Sequence, residues 1–191
     1  MIHRKTVRHF HEPGHLHELT FSCYQQMALL TDDAWREKLA RCIDVAGDEA
    51  SIELVGFVFM PEHVHLLVYP TTTNPPISRY LARIKQPFSK EVKDVLAGRH
   101  SSLLFRLTVQ ERPGKTCFRF WQEGSGFDRN LFSAEAVSLS LDYIHNNPVR
   151  RGSCRCAVDW EWSSARHYAG LAAIGNYGLP KIYALPEGAT W

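Results

Sequence analysis

Two strongly apolar runs, separated by a proline and a glutamate, constrain the fold of this chain more than any other feature. The first run covers residues 51–60 and the second covers residues 63–69, and both are rich in β-branched and aromatic residues. Such runs are typical of strands, and the short break at Pro61 and Glu62 predicts a tight connection between them. The sequence therefore predicts an antiparallel hairpin in the first half of the chain.

Strand and helix patterns alternate on both sides of this hairpin. Residues 16–25 favour a first strand, and a first helix is expected from an N-cap at Thr31 to a stop at Gly47. A second helical pattern covers residues 77–98, and Pro87 is expected to kink or interrupt it. These elements give the order strand, helix, strand, strand, helix.

The remaining patterns complete an α+β fold. Residues 103–110 and 116–121 look extended around a turn, and at least the second is expected to belong to the main sheet. Ser133 is expected to cap a third helix, which Pro148 ends. The order predicts a ferredoxin-like, split βαβ antiparallel sheet with helices mainly on one face, together with an extra β-hairpin and a C-terminal tail.

Length and composition predict one domain with short extensions. The chain has 191 residues, of which 45% are hydrophobic and 22% are charged, as in ordinary globular proteins. We expect a basic, histidine-rich arm over residues 1–15, a main domain over residues 16–170 and a loosely docked tail over residues 171–191. No apolar run is long enough for a membrane helix and the N-terminus is too polar for a secretory signal, so a cytoplasmic protein with free cysteines is expected.

Basic residues cluster in the sequence although the net charge is only +2. Acidic residues crowd the first predicted helix, and this asymmetry is typical of a protein with one phosphate-facing side. The helix cluster can instead be merely solvated, and the N-terminal arm can either enter a groove or remain without fixed structure. The candidate phosphate contacts are Arg4, Lys5, Arg8, Arg79, Arg83 and Lys90.

Four residues form two short-range pairs that could carry chemistry. His63 and His65 are two apart in a predicted strand, so both imidazoles point to one face and can chelate a metal ion. Tyr143 and Asn147 are four apart near the end of the third helix and are therefore neighbours on its surface. Taken singly, each pair is more often structural, so the two pairs gain meaning only in combination.

In combination with their surroundings, these residues resemble a known family. The sequence is similar to the single-tyrosine HUH transposases, and within them to the REP-associated tyrosine transposases of bacteria. Four separated motifs carry the resemblance, in the family's order, across most of residues 16–170. They are Phe59–Val68, Phe120–Arg129, Tyr143–Arg151 and Asp159–Ser164.

The resemblance implies the roles of the candidate residues. It makes residues 16–170 a catalytic domain in which His63 and His65 bind a metal ion, Tyr143 is the nucleophile and Asn147 is the third ligand. Related transposases of the smallest insertion sequences carry a glutamine one turn after the tyrosine, and the amide of Asn147 is shorter. Imidazole and amide ligands with open positions suit Mg²⁺ or Mn²⁺.

The implied reaction cleaves and rejoins hairpin-flanked single-stranded DNA through a covalent 5′-phosphotyrosine. The phosphotyrosine retains the phosphodiester energy, so a second 3′-hydroxyl can rejoin DNA without ATP. The implied partner is single-stranded DNA with REP-like hairpins, bound by a monomer or homodimer in the bacterial cytoplasm, at the nucleoid when DNA-bound. No membrane is involved.

Two other functions are compatible with the residues. A domesticated protein could hold DNA hairpins without cutting them, and a metal-dependent phosphodiesterase could use the histidines to activate water. Asp128 and Arg129, which follow a glycine-rich turn, either position DNA near the site or form a structural ion pair.

Overall fold

The structure is a computed structural model that describes residues 14–73, 75, 77–124, 126–175 and 178–185. Its strands are β1 Leu16–Ser22, β2 Ile52–Phe59, β3 His63–Pro70, β4 Thr108–Arg112, β5 Lys115–Phe118 and β6 Phe127–Leu131. Its α-helices are α1 Asp33–Ala50, α2 Ile77–Gly98, α3 Ser102–Leu107, α4 Ala134–His145, α5 Asn147–Arg150 and α6 Ala165–Tyr168. A four-stranded antiparallel sheet in the order β2-β3-β1-β6 lies at the centre.

The strand order confirms the split βαβ plan. β3 pairs antiparallel with both β2 and β1, and β1 pairs antiparallel with β6. β1 and β2 therefore run in the same direction on either side of β3, with α1 as the connection between them. The predicted hairpin is β2 and β3, joined at Pro61 and Glu62.

The two faces of the sheet carry different helices, because successive side chains of a strand point to opposite faces. Val64, Leu66 and Val68 of β3 join a large apolar core with α1 and α2. Leu67 joins a smaller core that includes Leu141 of α4. Helices thus lie mainly on one face, as expected, and α4 covers the other face.

The fourth strand of the main sheet differs from the prediction. It is β6, whereas residues 115–118 form β5 of a separate two-stranded sheet with β4. β6 reaches β1 through a close approach at Gly126, which has a φ of +78° and whose added Cβ would lie 2.2 Å from the Thr20 carbonyl oxygen. Only glycine tolerates this contact and conformation, so the glycine-rich stretch that was expected as a turn instead starts an edge strand.

Five local predictions are also corrected or confirmed. The separate β4-β5 sheet confirms the extra hairpin, but residues 103–107, which were expected to be extended, belong to α3. Asp32, and not Thr31, caps α1, because its side chain accepts a hydrogen bond from the Ala34 amide at 2.9 Å. α2 continues past Pro87, which is exposed on its outer surface, and Ser133 caps α4 as expected.

The described part of the C-terminal tail lies along α1 and β2. The Lys181 amide donates to the Asp44 carboxylate at 2.9 Å, and the Tyr183 amide donates to the Leu54 carbonyl at 2.8 Å. The division into arm, main domain and tail stays a prediction. Among the described residues, no helix has both the length and the apolar character that crossing a membrane requires.

Candidate active site

Two buried histidines on β3 form the centre of the candidate site. His65 Nδ1 lies 2.8 Å from the hydroxyl of Thr20 on β1, its partner in the strand register. His63 donates from Nδ1 to the Glu62 carboxylate at 3.1 Å. These contacts turn both rings so that the two Nε2 atoms face each other at 3.1 Å. Contacts of this kind fix the orientation and tautomer of metal-binding histidines.

The burial of both rings favours their neutral form. Burial lowers the pKa of His65 to about 3, and the nearby His63 and Arg151 act in the same direction. Burial also lowers the pKa of His63, against the opposing effect of Glu62. Neutral imidazole is the form that binds a metal ion, so near pH 7 both Nε2 atoms can act as ligands.

Asn147 brings a third polar group to the same place. Its side chain is buried, and its Nδ2 donates to His65 Nε2 at 3.2 Å. Its Oδ1 is buried without a hydrogen-bond partner, which is unfavourable unless a ligand contacts it. Rotation of the amide group by about 180° exchanges the positions of Oδ1 and Nδ2, so Oδ1 can point at the histidines when a cation is present.

The donor set is therefore two imidazoles and one amide. In the part of the chain that the structure describes, no group of three or more His, Cys, Asp or Glu side chains is arranged to hold a metal ion. The amide of Asn147 is the third polar group beside the two histidines, and its oxygen has the chemistry of a metal ligand. Three ligands with a polar opening beside them can hold a divalent cation and leave positions for a substrate.

Tyr143 lies at the edge of this group, on α4. Its ring stands perpendicular to that of His65 with 5.7 Å between the centroids, and 43% of the residue is exposed. The Arg150 guanidinium lies 4.9 Å from the centre of the tyrosine ring. The side chains surround a cavity of about 390 Å³. Its lining residues are Thr20, Ser22, Gln26, Glu62, His63, His65, Tyr143, Asn147, Arg150 and Arg151.

α4 packs close to the histidines because Gly56 of β2 has no side chain and leaves room for the helix. The pairing of β2 with β3 is irregular between Leu54 and Gly56, and a Cβ at Gly56 would lie 2.8 Å from Leu141 Cδ2. The end of α4 is held by His145, whose Nε2 is 2.8 Å from Ser164 Oγ. Ser164 in turn accepts from the Phe57 amide of β2 at 2.9 Å.

Comparison with known proteins identifies the family. Residues 14–147 match the family described as "Transposase IS200 like". The chain belongs to this family of IS200-like transposases. A protein of Haemophilus influenzae described as a REP-associated tyrosine transposase is 26% identical over 114 residues, which are 59% of this chain. The match covers 58% of that relative, so this chain spans less than two thirds of the relative's length.

A solved structure shows the same fold. It is described as a REP-associated tyrosine transposase bound to a REP hairpin, and it superimposes with a TM-score of 0.65 at 19% identity. The superposition covers 96% of this chain and 98% of that one. This agreement confirms the fold class expected for an IS200-like transposase.

Asp128 and Arg129 point to opposite faces of the sheet. Asp128 forms an ion pair with the buried His17 at 2.8 Å, away from the candidate site. Arg129 lies on the face of the site and donates to Glu18 at 2.6 Å, and Glu18 also accepts from Ser140 at 3.0 Å. The structure therefore brings Arg129, but not Asp128, towards Tyr143.

The other basic candidates lie elsewhere. Arg79, Arg83 and Lys90 belong to α2, which packs on the face opposite to the histidines. Arg83 pairs with Glu49 of α1 at 3.1 Å. A DNA contact by these three residues would require a strand that passes over both faces of the sheet. Arg4, Lys5 and Arg8 lie outside the described residues.

Several residues of the site were not selected from the sequence. Thr20 could have been found from the alternation of Glu18, Thr20 and Ser22, which puts three polar side chains on one face of β1. Arg150 and Arg151 belong to a basic cluster of the sequence that received no role in the site. Arg151 donates to the Glu62 carboxylate at 3.3 Å, so it lies beside the cavity opening.

Proposed function

We propose that this chain cleaves and transfers single-stranded DNA, with Tyr143 as the nucleophile and residues 16–170 as the catalytic unit. The observation that carries the proposal is the position of the tyrosine ring, 5.7 Å from that of His65, in the cavity that both histidines line. A family of transposases supplies the class of reaction. The histidines and the tyrosine lie in one chain, so a monomer can provide all of them.

The metal ligands that we propose are His63, His65 and Asn147. The buried Asn147 Oδ1 without a partner, next to two neutral imidazoles, fits a divalent cation. Imidazole nitrogens favour Mn²⁺, whereas cellular availability favours Mg²⁺. When bound, such an ion polarises a phosphate oxygen and stabilises the charge that develops on the phosphoryl group.

In the proposed reaction the Tyr143 oxygen forms a bond to phosphorus while the bond to the 3′ oxygen breaks. The phosphate stays on the 5′ side as a phosphotyrosine, the phenol proton passes to solvent, and the released 3′ oxygen takes up a proton. Attack by a second 3′-hydroxyl reverses these bond changes and joins two strands. Because Tyr143 is partly exposed, a backbone phosphate can reach it without rearrangement of α4.

Two arginines supply positive charge at the opening. Arg150 packs over the Tyr143 ring and restrains its position, and it brings a positive charge next to the proposed nucleophile. Arg151 is held by Glu62, which also holds His63, so one carboxylate links the opening to the proposed ligands. Both arginines can contact phosphates on either side of the cleaved bond.

The partner that we propose is single-stranded DNA that folds into REP-like hairpins. The solved structure of similar fold is described as bound to such a hairpin, and its polypeptide is covered almost completely by this one. Recognition of this partner places the protein in the bacterial cytoplasm, at the nucleoid when DNA is bound. It acts there as a monomer or as a homodimer.

The test uses a labelled DNA hairpin with single-stranded flanks, incubated with Mg²⁺, with Mn²⁺ or with a chelator. A tyrosine nucleophile leaves labelled DNA covalently attached to the protein on a denaturing gel, and peptide mapping is expected to place it on Tyr143. Tyr143→Phe should bind the hairpin but form no adduct. Tyr168→Phe is the matched control, because this exposed tyrosine donates to the Val55 carbonyl at 3.0 Å and does not line the cavity.

The same gel distinguishes the two competing functions. A phosphodiesterase that activates water would cut the DNA without attached protein, and a hairpin-binding protein would shift the DNA on a native gel without cutting it. Either result, or an adduct on another tyrosine, contradicts the proposed nucleophile.

A further inference from the structure

A second depression adjoins the candidate active site. It has a volume of about 510 Å³ and shares Thr20, His65 and Tyr143 with the first cavity. Its other lining residues are Glu18, Phe127, Arg129 and Leu139. We call these seven residues the side groove. Because three residues line both cavities, a DNA strand whose phosphate lies at Tyr143 can place an adjacent nucleotide in the side groove.

Two apolar side chains of the side groove are exposed. Phe127 of β6 is 53% exposed and Leu139 of α4 is 60% exposed. Leu139 lies one helical turn before Tyr143, so both side chains occupy the same surface of α4. Large apolar side chains that are exposed together next to a polar cavity mark a binding surface more often than a chance arrangement.

The position of Phe127 is fixed by the backbone. Phe127 pairs with Thr20 in the register of β1 and β6. The preceding Gly126 approaches the Thr20 carbonyl so closely that a Cβ would lie 2.2 Å from its oxygen. The ring is therefore held beside a residue that also contacts His65, and it cannot drift away with a flexible loop.

Arg129 adds a cation to this apolar surface. Glu18 is almost fully buried and accepts from both Arg129 and Ser140, at 2.6 Å and 3.0 Å. These bonds hold the arginine stem against the sheet while about half of the side chain remains exposed. A guanidinium has five N–H donors, so the bond to Glu18 leaves donors that can reach a phosphate.

We propose that the side groove binds one unpaired nucleotide next to the cleaved phosphate. Its base stacks on Phe127 and packs against Leu139, and Arg129 binds its phosphate. This inference rests on the proposed function, because Tyr143 marks the position of the cleaved bond. Phe127 and Leu139 carry no polar side-chain groups, so stacking should select for the presence of a base and only weakly for its identity.

The test measures binding, and not cleavage. The probe is a fluorescent DNA hairpin with a short thymidine tail, compared with the same hairpin whose tail carries abasic sites and keeps every phosphate. Because stacking on an aromatic ring strengthens binding by about 5- to 100-fold per base, the wild-type protein should prefer the thymidine tail by a factor in that range. The preference should persist in Tyr143→Phe, which keeps the ring.

Variants assign the preference to the side groove. Phe127→Ala should abolish the preference between tails, and Leu139→Ala should reduce it. Phe105→Ala is the matched control, because this phenylalanine is 84% exposed on α3 and does not line the side groove. Arg129→Ala should weaken binding of both tails equally and lower the dependence on salt.

The outcomes separate this inference from the proposed function. Equal binding of both tails by the wild type, or an equal loss of preference in Phe105→Ala and Phe127→Ala, overturns the side groove even if the tyrosine adduct forms. A preference that depends on Phe127 supports the side groove even in a protein that forms no adduct, and in that case only the cleavage mechanism is wrong.

Discussion

Gly56 should control how closely Tyr143, the proposed nucleophile, approaches the histidines. It lies at the irregular point of β2, where Val55 and Gly56 both face α4. A Cβ at position 56 would lie 2.8 Å from Leu141 Cδ2 and 3.4 Å from both Ile144 Cδ1 and Ser164 Oγ. Leu141 and Ile144 are buried, so Gly56→Ala must move α4 outwards or force Leu141 into a poorer rotamer.

The stability cost follows from these contacts. Overpacking of a core by one methyl group costs about 1–3 kcal/mol, and replacement of glycine by alanine regains roughly 0.4–1 kcal/mol through the unfolded state. A net loss of roughly 0–2.6 kcal/mol remains, with a midpoint of about 1.3 kcal/mol. For a chain of this length each kcal/mol lowers Tm by about 2–4 °C, so the midpoint corresponds to a decrease of roughly 3–5 °C.

Activity should fall further than stability. Tyr143 follows Leu141 by two residues on the same helix, so an outward shift of α4 separates the tyrosine from His65. A displacement of about 1 Å at a reacting group can reduce the rate on the order of 100-fold. Hairpin binding should fall less than the adduct rate, because Phe127 and Arg129 lie on β6, whose backbone pairs with β1, and only Leu139 and Tyr143 of the side groove move with α4.

The assay combines thermal unfolding with the rate of covalent adduct formation, both below the Tm of every variant. Gly98→Ala is the matched control, because nothing lies within 4 Å of an added Cβ at the end of α2. It should keep the adduct rate and raise Tm slightly, because it has the unfolded-state gain without the overpacking. If Gly56→Ala matches Gly98→Ala in both measurements, the contact between β2 and α4 does not position the nucleophile.

Three further predictions address the ligands, the charge and the thiols. Thr20→Val should lower the affinity for Mn²⁺ by about 10- to 100-fold, because His65 loses the hydroxyl that orients its ring. Calorimetry measures this affinity, and an unchanged value would contradict the orienting role of Thr20. Arg151→Gln should reduce the slope of log affinity against log salt by about 1, and an unchanged slope would place this residue away from phosphate. A thiol reagent at pH 8 should label the exposed Cys156 before Cys23, because burial raises the pKa of Cys23 to about 12. Preferential labelling of Cys23 would show that the structure around Cys23 opens readily to solvent.

The position of the histidines could be predicted because it depends on local alternation alone. His63 and His65 point to one face of any strand that contains both, and the turn at Pro61 limits where that strand begins. Tyr143 and Asn147 are neighbours for a similarly local reason. The contact between the histidine pair and the Tyr143–Asn147 pair depends on the path of α4 across the sheet. No short-range pattern predicts this path, so the contact was expected only through the resemblance.

β6 was missed because an edge strand of five residues carries a weak signal. Only Leu131 of the sequence FDRNL is fully buried, so the alternation that reveals a strand is almost absent. Recognition of the strand would have shown that Asp128 and Arg129 point to opposite faces and cannot share one role. The short apolar stretch of α3 was ambiguous for a related reason, since helix and strand periods cannot be distinguished over six residues.

The arrangement of the two cores explains why the site is sensitive to some buried residues more than to others. Val64 and His65 are adjacent on β3, but Val64 packs with α1 and α2, whereas His65 faces the side of α4. Truncation of Val64 removes volume from the large core and should affect mainly the free energy of unfolding. The small core beneath α4, which includes Val58 and Ile144, packs α4 against the face of the sheet that carries both histidines. Loss of volume there lets α4 sink or tilt, and therefore alters the distance between Tyr143 and His65 before the fold itself is lost.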